Sequence, residues 1–277
     1  MKLIMTGHDG LIGSYLKKKL EEQGHEFVML IDQRSGRKLD LLKDWELKGA
    51  DLFIHSAAFC KINQAIETPE LAYESNVEGV FNALEFCRRN DIKKFLFFSS
   101  SRVLSPEKNP YTASKIYGEE LCKAYQQCYG IDYIIIRPST VYGPFQDLTR
   151  RLVHIYITNA LEGKDLIIYG DPNTKTLDFT HVDDFVQGVL LALNAGWNKE
   201  YDISGESEYN IHRLAEYIIE KTGSKSKIIV YDAEKAQPQM VRLDISAIKA
   251  LGYKPKYSVE EGILHTIEWY KQNTQTT

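Results

Sequence analysis

The four cysteines of this 277-residue chain (Cys60, Cys87, Cys122, Cys128) form no C-x-x-C pair. That removes the usual zinc-site and redox-motif spacings and leaves reduced core or surface residues of a reducing compartment. An excess of positive charge is also lacking. The 34 Lys and Arg face 38 Asp and Glu, a formal net charge of −4, which gives no electrostatic case for nucleic acid. Apolar runs such as Val-Leu-Leu-Ala-Leu at 189–193 are far too short to span a bilayer. Met1 almost abuts the first apolar run, so no signal peptide is expected. Repeats, low-complexity tracts and long linkers are missing too. What remains is balanced as in a globular protein, 43% hydrophobic and 26% charged. A chain of this length buries a large core, in one large domain or two intimate ones. The expectation is a cytoplasmic protein of enzyme size, without nucleic-acid or membrane partners.

The most informative stretch stands at the start. Lys2-Leu3-Ile4-Met5-Thr6 is a short apolar run, and Gly7, Gly10 and Gly13 follow at i, i+3 and i+6. Leu11, Ile12, Tyr15, Leu16 and Leu20 then recur at helical spacing. This predicts strand, tight turn, helix. The glycines let a pyrophosphate approach free N–H groups at the helix N-terminus, where the dipole favours negative charge. The spacing is G-x-x-G-x-x-G rather than G-x-G-x-x-G, and glycines alone are weak evidence. Their context strengthens them. A second apolar run at 27–31 ends in Asp32, 19 residues after Gly13. An acid there is placed to bond the adenosine ribose hydroxyls of a dinucleotide.

Strands and helices alternate from there. The pattern predicts strands over 3–6, 27–31, 52–55, 95–98 and 133–136, with helices from Leu11 and over 70–89 and 111–129. Phe95-Leu96-Phe97-Phe98 is apolar throughout, as in a strand buried on both faces. Such repetition predicts an α/β fold with a doubly wound parallel sheet, the ligand lying off the carboxyl ends of its strands. The residues after Thr6, Ile31, His55 and Phe98 should therefore ring one crevice. Beyond Arg137-Pro138 the character changes. Val141-Tyr142-Gly143-Pro144 reads as a loop, 155–161 as helix and 166–169 as a short strand. Residues 183–193 read as an apolar helix packed back on the sheet. Helices over 211–221, 245–251 and 259–270 and a strand over 227–231 complete a smaller, discontinuous lobe. The expected division is 1–141 with 178–205 for the sheet domain, and 142–177 with 206–277 for the substrate lobe.

Tyr111-Thr112-Ala113-Ser114-Lys115 carries the chemistry. Tyr and Lys at i, i+4 share one helix face. A tyrosine titrates near 10, too high for a base at neutral pH. An ammonium about 4 Å away, at an effective dielectric of about 20, is worth roughly 4 kcal/mol, or about three pKa units at most. Tyr111 could then exchange a proton with a substrate hydroxyl. Ser99-Ser100-Ser101 closes the preceding strand and offers a hydroxyl to the same oxygen.

Taken in order, these motifs resemble the short-chain dehydrogenase/reductase superfamily, in its extended branch of nucleotide-sugar epimerases and dehydratases. The resemblance covers nearly the whole chain. It rests on Thr6-Gly7-x-x-Gly10-x-x-Gly13, Asp32, Asp40-Leu41, His55-Ser56-Ala57-Ala58, Asn76-Val77 and Ser99-Ser100-Ser101. It continues through Tyr111-x-x-x-Lys115, Arg137-Pro138, Val141-Tyr142-Gly143-Pro144 and Asp178-Phe179-x-His181-Val182-Asp183-Asp184. The resemblance implies that Tyr111 is the acid/base, that Lys115 bonds the nicotinamide ribose and that Ser100 or Ser101 is the catalytic hydroxyl. Counting back three from Val103 gives Ser100, and the run of serines leaves the register open. It also implies a cofactor site of Gly7, Asp9, Gly10, Leu11, Ile12, Gly13, Asp32, Asp40, Leu41, Ala57, Ala58, Asn76, Ser99, Pro138 and Val141. Arg102, Tyr142 and Lys175 are the expected substrate contacts. The cofactor implied is NAD. Arg34 and Arg37 could meet the 2′-phosphate of NADP, but Asp32 would repel it. A homodimer is implied as well, through helix faces carrying Phe86, Leu121 and Tyr125.

Departures shape the functional expectation. Dehydratases of this branch look like Ser-Thr-Asp-Glu where this chain has Ser100-Ser101-Arg102. Leu177 replaces the arginine that often holds a substrate diphosphate. A second phosphate-binding arginine, expected near Ala236-Gln237-Pro238, is absent. Lys175, Arg150, Arg151 or Arg242 could substitute. The leading expectation is an NAD-dependent epimerase of a sugar or nucleotide-linked sugar, acting through a transient keto intermediate. The alternative is a dehydrogenase or reductase of a free sugar, lactone or polyol; a dehydratase or a non-catalytic NAD-binding protein ranks below both. No metal is expected. His55 and His181-x-Asp183-Asp184 read as structural, the latter as a helix entrance with a capping aspartate.

Overall fold

Apolar residues alternate between two destinations along the central strands, and that alternation builds the core. The structure, a computed structural model, describes residues 1–32 and 47–273. Its strands are β1 (Lys2–Thr6), β2 (Glu26–Ile31), β3 (Leu52–His55), β4 (Lys94–Phe98), β5 (Asp132–Pro138), β6 (Thr140–Tyr142), β7 (Leu166–Tyr169), β8 (Thr176–His181), β9 (Lys199–Ile203), β10 (Glu208–Asn210) and β11 (Ile228–Tyr231). Its helices are α1 (Leu11–Glu22), α2 (Ile62–Glu67), α3 (Glu70–Ala72), α4 (Gly79–Arg89), α5 (Pro110–Tyr129), α6 (Leu152–Leu161), α7 (Val182–Asn194), α8 (Ile211–Thr222), α9 (Ser246–Lys249) and α10 (Val259–Asn273).

Six strands form one sheet in the order β2-β1-β3-β4-β5-β9, every pair parallel. On one face Leu3, Met5, Leu96, Phe98, Ile134 and Ile136 pack with Leu16 and Leu20 of α1 and Phe185 and Val189 of α7. On the other, Ile4, Phe95, Phe97 and Ile135 meet Val80 and Leu84 of α4 and Cys122 of α5. The expected doubly wound α/β sheet is therefore the fold. The chain goes to β2 on one side of β1 and then to β3 on the other. The crevice beyond Thr6 and His55 is thus a topological switch point, where open α/β sheets bind ligands.

A second core lies beyond the sheet. Tyr156 and Ile157 of α6, Leu214 and Ile218 of α8 and Ile263 and Ile267 of α10 pack on Ile168 and Phe179. Two small sheets, β10-β8-β6 and β11-β7, frame it. Leu243, Ile245, Ile248 and Tyr253 join instead the cluster on the large sheet.

Several expectations need correction. The helix expected over 70–89 is broken by a π-helical stretch, Tyr73–Glu78, between α3 and α4. Its buried Asn76 explains the break. The Asn76 amide accepts from Phe59 N at 2.7 Å and donates to Phe59 O at 3.0 Å and Ser114 Oγ at 2.9 Å. Extra turn width there satisfies a loop that would otherwise carry unpaired backbone groups. Val141 and Tyr142 are not loop but strand, paired parallel with β8. Strand β9 escaped the sequence reading because its apolar Tyr201 and Ile203 are interleaved with charge at a sheet edge. Phe86 and Tyr125 do not face outward; both are buried, and the Tyr125 hydroxyl donates to Glu85 at 2.7 Å. The exposed large apolar side chains on these helices are Phe81, Tyr117 and Tyr129, with Tyr73 just before α4.

Candidate active site

The glycine loop follows directly from backbone geometry. Gly7 has φ +73°, and a Cβ there would lie 2.6 Å from Ala57 N. A Cβ at Gly13 would overlap the Gly7 carbonyl. Both glycines are required by the fold itself. Gly10 is different: a Cβ there would meet only Gly7 O, at 3.4 Å. The fold itself does not require glycine at position 10. Gly10 starts α1 without a side-chain cap, and the first turn of α1 holds no acid. This is an open, electropositive helix end. Asp32, at the tip of β2, accepts from Asp9 N at 3.2 Å. Thr6 ties the ends of β1 and β3, meeting His55 Nδ1 at 2.9 Å and accepting from Ala57 N at 3.2 Å.

A cleft of about 970 Å³ runs from this loop into the smaller lobe. Gly7, Asp32, Ser56 and Ser99, the four residues after the strand ends, all line it, as the sheet topology requires. So do Gly10, Leu11, Ile12, Gly13, Ala57, Ala58, Ser100, Ser101, Tyr111, Lys115, Pro138 and Val141 of the expected set, with Arg102 and Lys175 further along. Asp9 flanks Asp32 at the rim. Asn76 is not on the lining; its amide is consumed in bracing the 56–61 loop. Tyr142 is not on it either. It is buried, reaches Val259 O at 3.3 Å and packs edge-on against Phe179 and His181. Both are corrected from ligand contacts to structural braces. Asp40, Leu41, Arg34 and Arg37 lie outside the described residues.

Helix α5 delivers Tyr111 and Lys115. Asn109 caps it, accepting from Thr112 N at 2.9 Å, and Pro110 occupies the first turn. Gly118 admits the Phe97 ring, which draws α5 onto β4. Lys115 then lies over that ring at 5.2 Å and donates to Phe98 O at 2.8 Å. Ser99 turns its hydroxyl away, to the buried Glu119, which also holds Arg137 by two hydrogen bonds. Ser100 accepts from Arg102 N at 3.2 Å, and its side chain is close enough to Tyr111 to favour loss of the phenol proton. The structure thus separates the serines: Ser99 faces Glu119, Ser100 caps a short 3-10 turn on the Tyr111 side, and Ser101 starts that turn.

The electrostatics depart from expectation. Burial pushes Tyr111 up to about 12, against the pull of Ser100 and of Arg102 and Arg151. Lys115 is not among the leading influences on the phenol, and its ammonium donates to the strand carbonyl. Burial brings Lys115 itself down to about 8. The protein alone therefore keeps the phenol protonated.

Of the cations considered for a diphosphate, Lys175, Arg150 and Arg151 line the cleft, and Arg242 does not. Leu177 is buried in the cleft wall. Sequence reading missed Cys60, Asn63, Asp147 and Glu234 on the lining. Asn63 bonds both Glu234 and Gln237 across the mouth, the latter at 2.7 Å. Partners more than 170 positions apart leave no local signal. His181 itself, rather than an aspartate, caps α7, and Asp184 accepts from Lys256 N and Tyr257 N. His55 is buried and stacked on Phe95 and Phe97, with its pKa down at about 3 through burial. His8, Asp9 and Asp32 bring ligand-type atoms within 4.8 Å, but His8 already pairs with Asp9 at 3.3 Å. Among the described residues no helix is long and apolar enough to cross a membrane.

Comparison with known proteins agrees with this geometry. Residues 3–211 match the family model described as "NAD dependent epimerase/dehydratase family". A putative UDP-glucose 4-epimerase of Methanocaldococcus jannaschii is 31% identical, the alignment covering 99% of this chain and 100% of that protein. The crystal structure of a UDP-glucose 4-epimerase from Thermotoga maritima, with UDP-glucose, superposes with a TM-score of 0.88 at 25% identity, over 99% of this chain and 100% of that one. A dTDP-glucose 4,6-dehydratase from Streptomyces venezuelae, crystallised with NAD bound, gives 0.89 at 25% identity, over 99% and 98%. The glycine turn, the Tyr111–Lys115 helix and the match over most of the chain lead to one conclusion: this protein belongs to the NAD dependent epimerase/dehydratase family.

Proposed function

We propose that the protein is an NAD-dependent epimerase of a nucleotide-linked sugar. The observation that carries this reading is the group around Tyr111. It has a serine hydroxyl on the phenol and a lysine on the strand end, and no carboxylate in 98–102 or 111–115. Elimination of water would call for an acid near the reacting carbon; Arg102 stands there instead.

The residues fit NAD. Gly10 leaves room that the protein does not fill, the uncapped end of α1 suits a pyrophosphate, and Asp32 suits ribose hydroxyls. When bound, NAD takes up a hydride from a carbinol carbon and gives it back. Tyr111 takes the hydroxyl proton and later returns it. Ser100 holds the same oxygen. Lys115, held on the strand end by Phe98 O, is the residue that would bond the ribose of the cofactor. Arg102 and Arg151 favour the phenolate as Tyr111 loses its proton. Epimerisation further requires the keto sugar to turn over inside the cleft before hydride returns to its other face.

A nucleotide handle is supported by the cleft's extent. It continues past Tyr111 to Arg150, Arg151, Lys175 and Tyr169, and its volume is at the top of the roughly 300–1,000 Å³ range of ligand pockets. Tyr169 stacks on Tyr231 with ring centres 5.9 Å apart, a flat aromatic surface at that far end. Leu177 favours the second reading, a dehydrogenase of a free sugar or polyol. By resemblance, the protein acts as a homodimer; Phe81, Tyr117 and Tyr129 are exposed apolar side chains on the helices concerned.

Thermal shift with NAD, NADP, UDP, GDP, dTDP and CDP, singly and in pairs, separates these readings, because a ligand bound to the native state raises its melting temperature. NAD and one nucleoside diphosphate shifting together support the proposal, and interconversion of epimers without net NADH completes it. A response to NAD alone, with NADH and ketone accumulating, turns the reading to the dehydrogenase.

A further inference from the structure

Resting on the epimerase reading, we propose that Arg102 selects substrates whose sugar carries a carboxylate, a uronic-acid unit rather than a neutral hexose. The guanidinium lines the cleft, and among the described residues it makes no hydrogen bond or ion pair. Its Nη1 is enclosed without any partner. The acids nearest to it in charge are engaged elsewhere. Glu107 accepts from the Ser105 hydroxyl, and Glu234 accepts from Asn63. A buried charge is costly unless it is paired, and a guanidinium cannot shed its proton to escape. The missing partner is therefore an anion brought by the ligand. A carboxylate matches the planar fork with two parallel hydrogen bonds.

Position decides which anion. The backbone N of Arg102 donates to Ser100 Oγ at 3.2 Å, and Ser100 meets Tyr111. Arg102 is thus anchored at the reacting end of the cleft. A diphosphate has other cations to meet in the same cleft, Arg150, Arg151 and Lys175. Two of them have local ties: Arg151 pairs with Asp147 at 2.7 Å, and Lys175 donates to Tyr169 O. Arg102 is left to the sugar, and an anionic substituent next to the oxidised carbon is within its reach. A neutral hydroxymethyl group at the same place leaves the charge unsatisfied, which disfavours it.

The test compares UDP, UDP-glucose and UDP-glucuronate on the NAD-loaded protein by calorimetry, with free glucose and free glucuronate as a second pair. In the wild type the uronate should bind about 10–100-fold tighter than its neutral counterpart, the range for a charge-assisted hydrogen bond. Arg102→Met should abolish that preference while UDP alone changes by less than about threefold, and Arg102→Lys should keep part of it. A melting temperature close to wild type shows that each variant is folded. Equal binding of uronate and hexose to the wild type overturns the proposal, as does a preference that survives in Arg102→Met. Loss of UDP binding in Arg102→Met also overturns it, because Arg102 would then hold the diphosphate. If no UDP compound binds but free glucuronate is preferred through Arg102, the nucleotide handle fails and the Arg102 assignment stands.

Discussion

Lys115 donates to the carbonyl of Phe98 at 2.8 Å, and so ties helix α5 to the end of strand β4 one residue before the serine run. Sequence spacing alone would aim that ammonium at Tyr111, one turn away. The bond to Phe98 leaves Tyr111 governed by burial, up at about 12. The base is therefore not ready-made. It is completed when ligand brings further positive charge or a hydrogen-bonding hydroxyl into the cleft. The difference in tyrosinate absorbance between wild type and Tyr111→Phe should show no step below pH about 10 in the protein alone, and a step at lower pH with NAD bound. Turnover in Tyr111→Phe should fall by about 10²–10⁴-fold, the usual worth of a positioned acid/base, with NAD binding kept. A step near neutral pH without NAD would show that Arg102 and Arg151 suffice by themselves.

Gly10 and Gly13 look equivalent in the sequence and are opposite in the structure. A methyl group at Gly13 collides with the Gly7 carbonyl, whereas at Gly10 it finds only ordinary contact at 3.4 Å. Gly13→Ala should lower stability by about 1–3 kcal/mol, the range for overpacking. Gly10→Ala should melt within about 0.5 kcal/mol of wild type, like a neutral surface change, yet bind NAD at least about tenfold more weakly. Denaturation curves and NAD titration of both variants check this. Unchanged NAD affinity in Gly10→Ala would mean that the pyrophosphate does not approach this turn.

The sheet was legible because its strands are short, apolar and bounded by small residues, and the cleft was legible because topology places it at the switch point. Element boundaries in the first half differ little from the periodicity. Other features depend on contacts between distant positions. Asn76 reads as a ligand contact until Phe59 is seen against it. Tyr142 reads as a cleft residue until pairing of β6 with β8 turns it into the second core. Arg102 reads as an absent carboxylate. Only the enclosure of its Nη1 without a partner, among the described residues, shows a cation in need of an anion.

Cys60 lines the cleft beside Tyr111 and Lys115, while Cys87 and Cys122 are buried and Cys128 is exposed. Alkylation of the native protein should label Cys128 fastest, then Cys60, and spare the other two until unfolding. NAD should protect Cys60 by at least about tenfold in rate and leave Cys128 unaffected, since occupancy blocks access only within the cleft. Peptide mapping by mass spectrometry reads this directly. Equal labelling of Cys60 with and without saturating NAD would place the cofactor elsewhere.

Asp178 gives the fold a pH dependence of its own. The residue is 2% exposed, and its carboxylate accepts from Leu243 N at 2.7 Å, while the nearby Ser204 hydroxyl donates to Gly205 O at 3.0 Å. Burial outweighs the Leu243 bond and raises its pKa from 3.8 to about 6. A carboxyl group raised on folding releases its proton more readily when unfolded. Below about pH 4 both states hold the proton and the group is neutral in effect. Between pH 4 and 6 the unfolded chain holds fewer protons, so stability falls as pH rises, by up to about 3 kcal/mol for two pKa units, and then levels off. Asp178→Asn keeps an acceptor for Leu243 N and removes the titration. Its advantage in urea midpoint over wild type should therefore be largest at pH 7 and shrink steadily toward pH 4. A gap that stays constant across that window would show that Asp178 titrates alike in both states, and that the Leu243 bond offsets its burial.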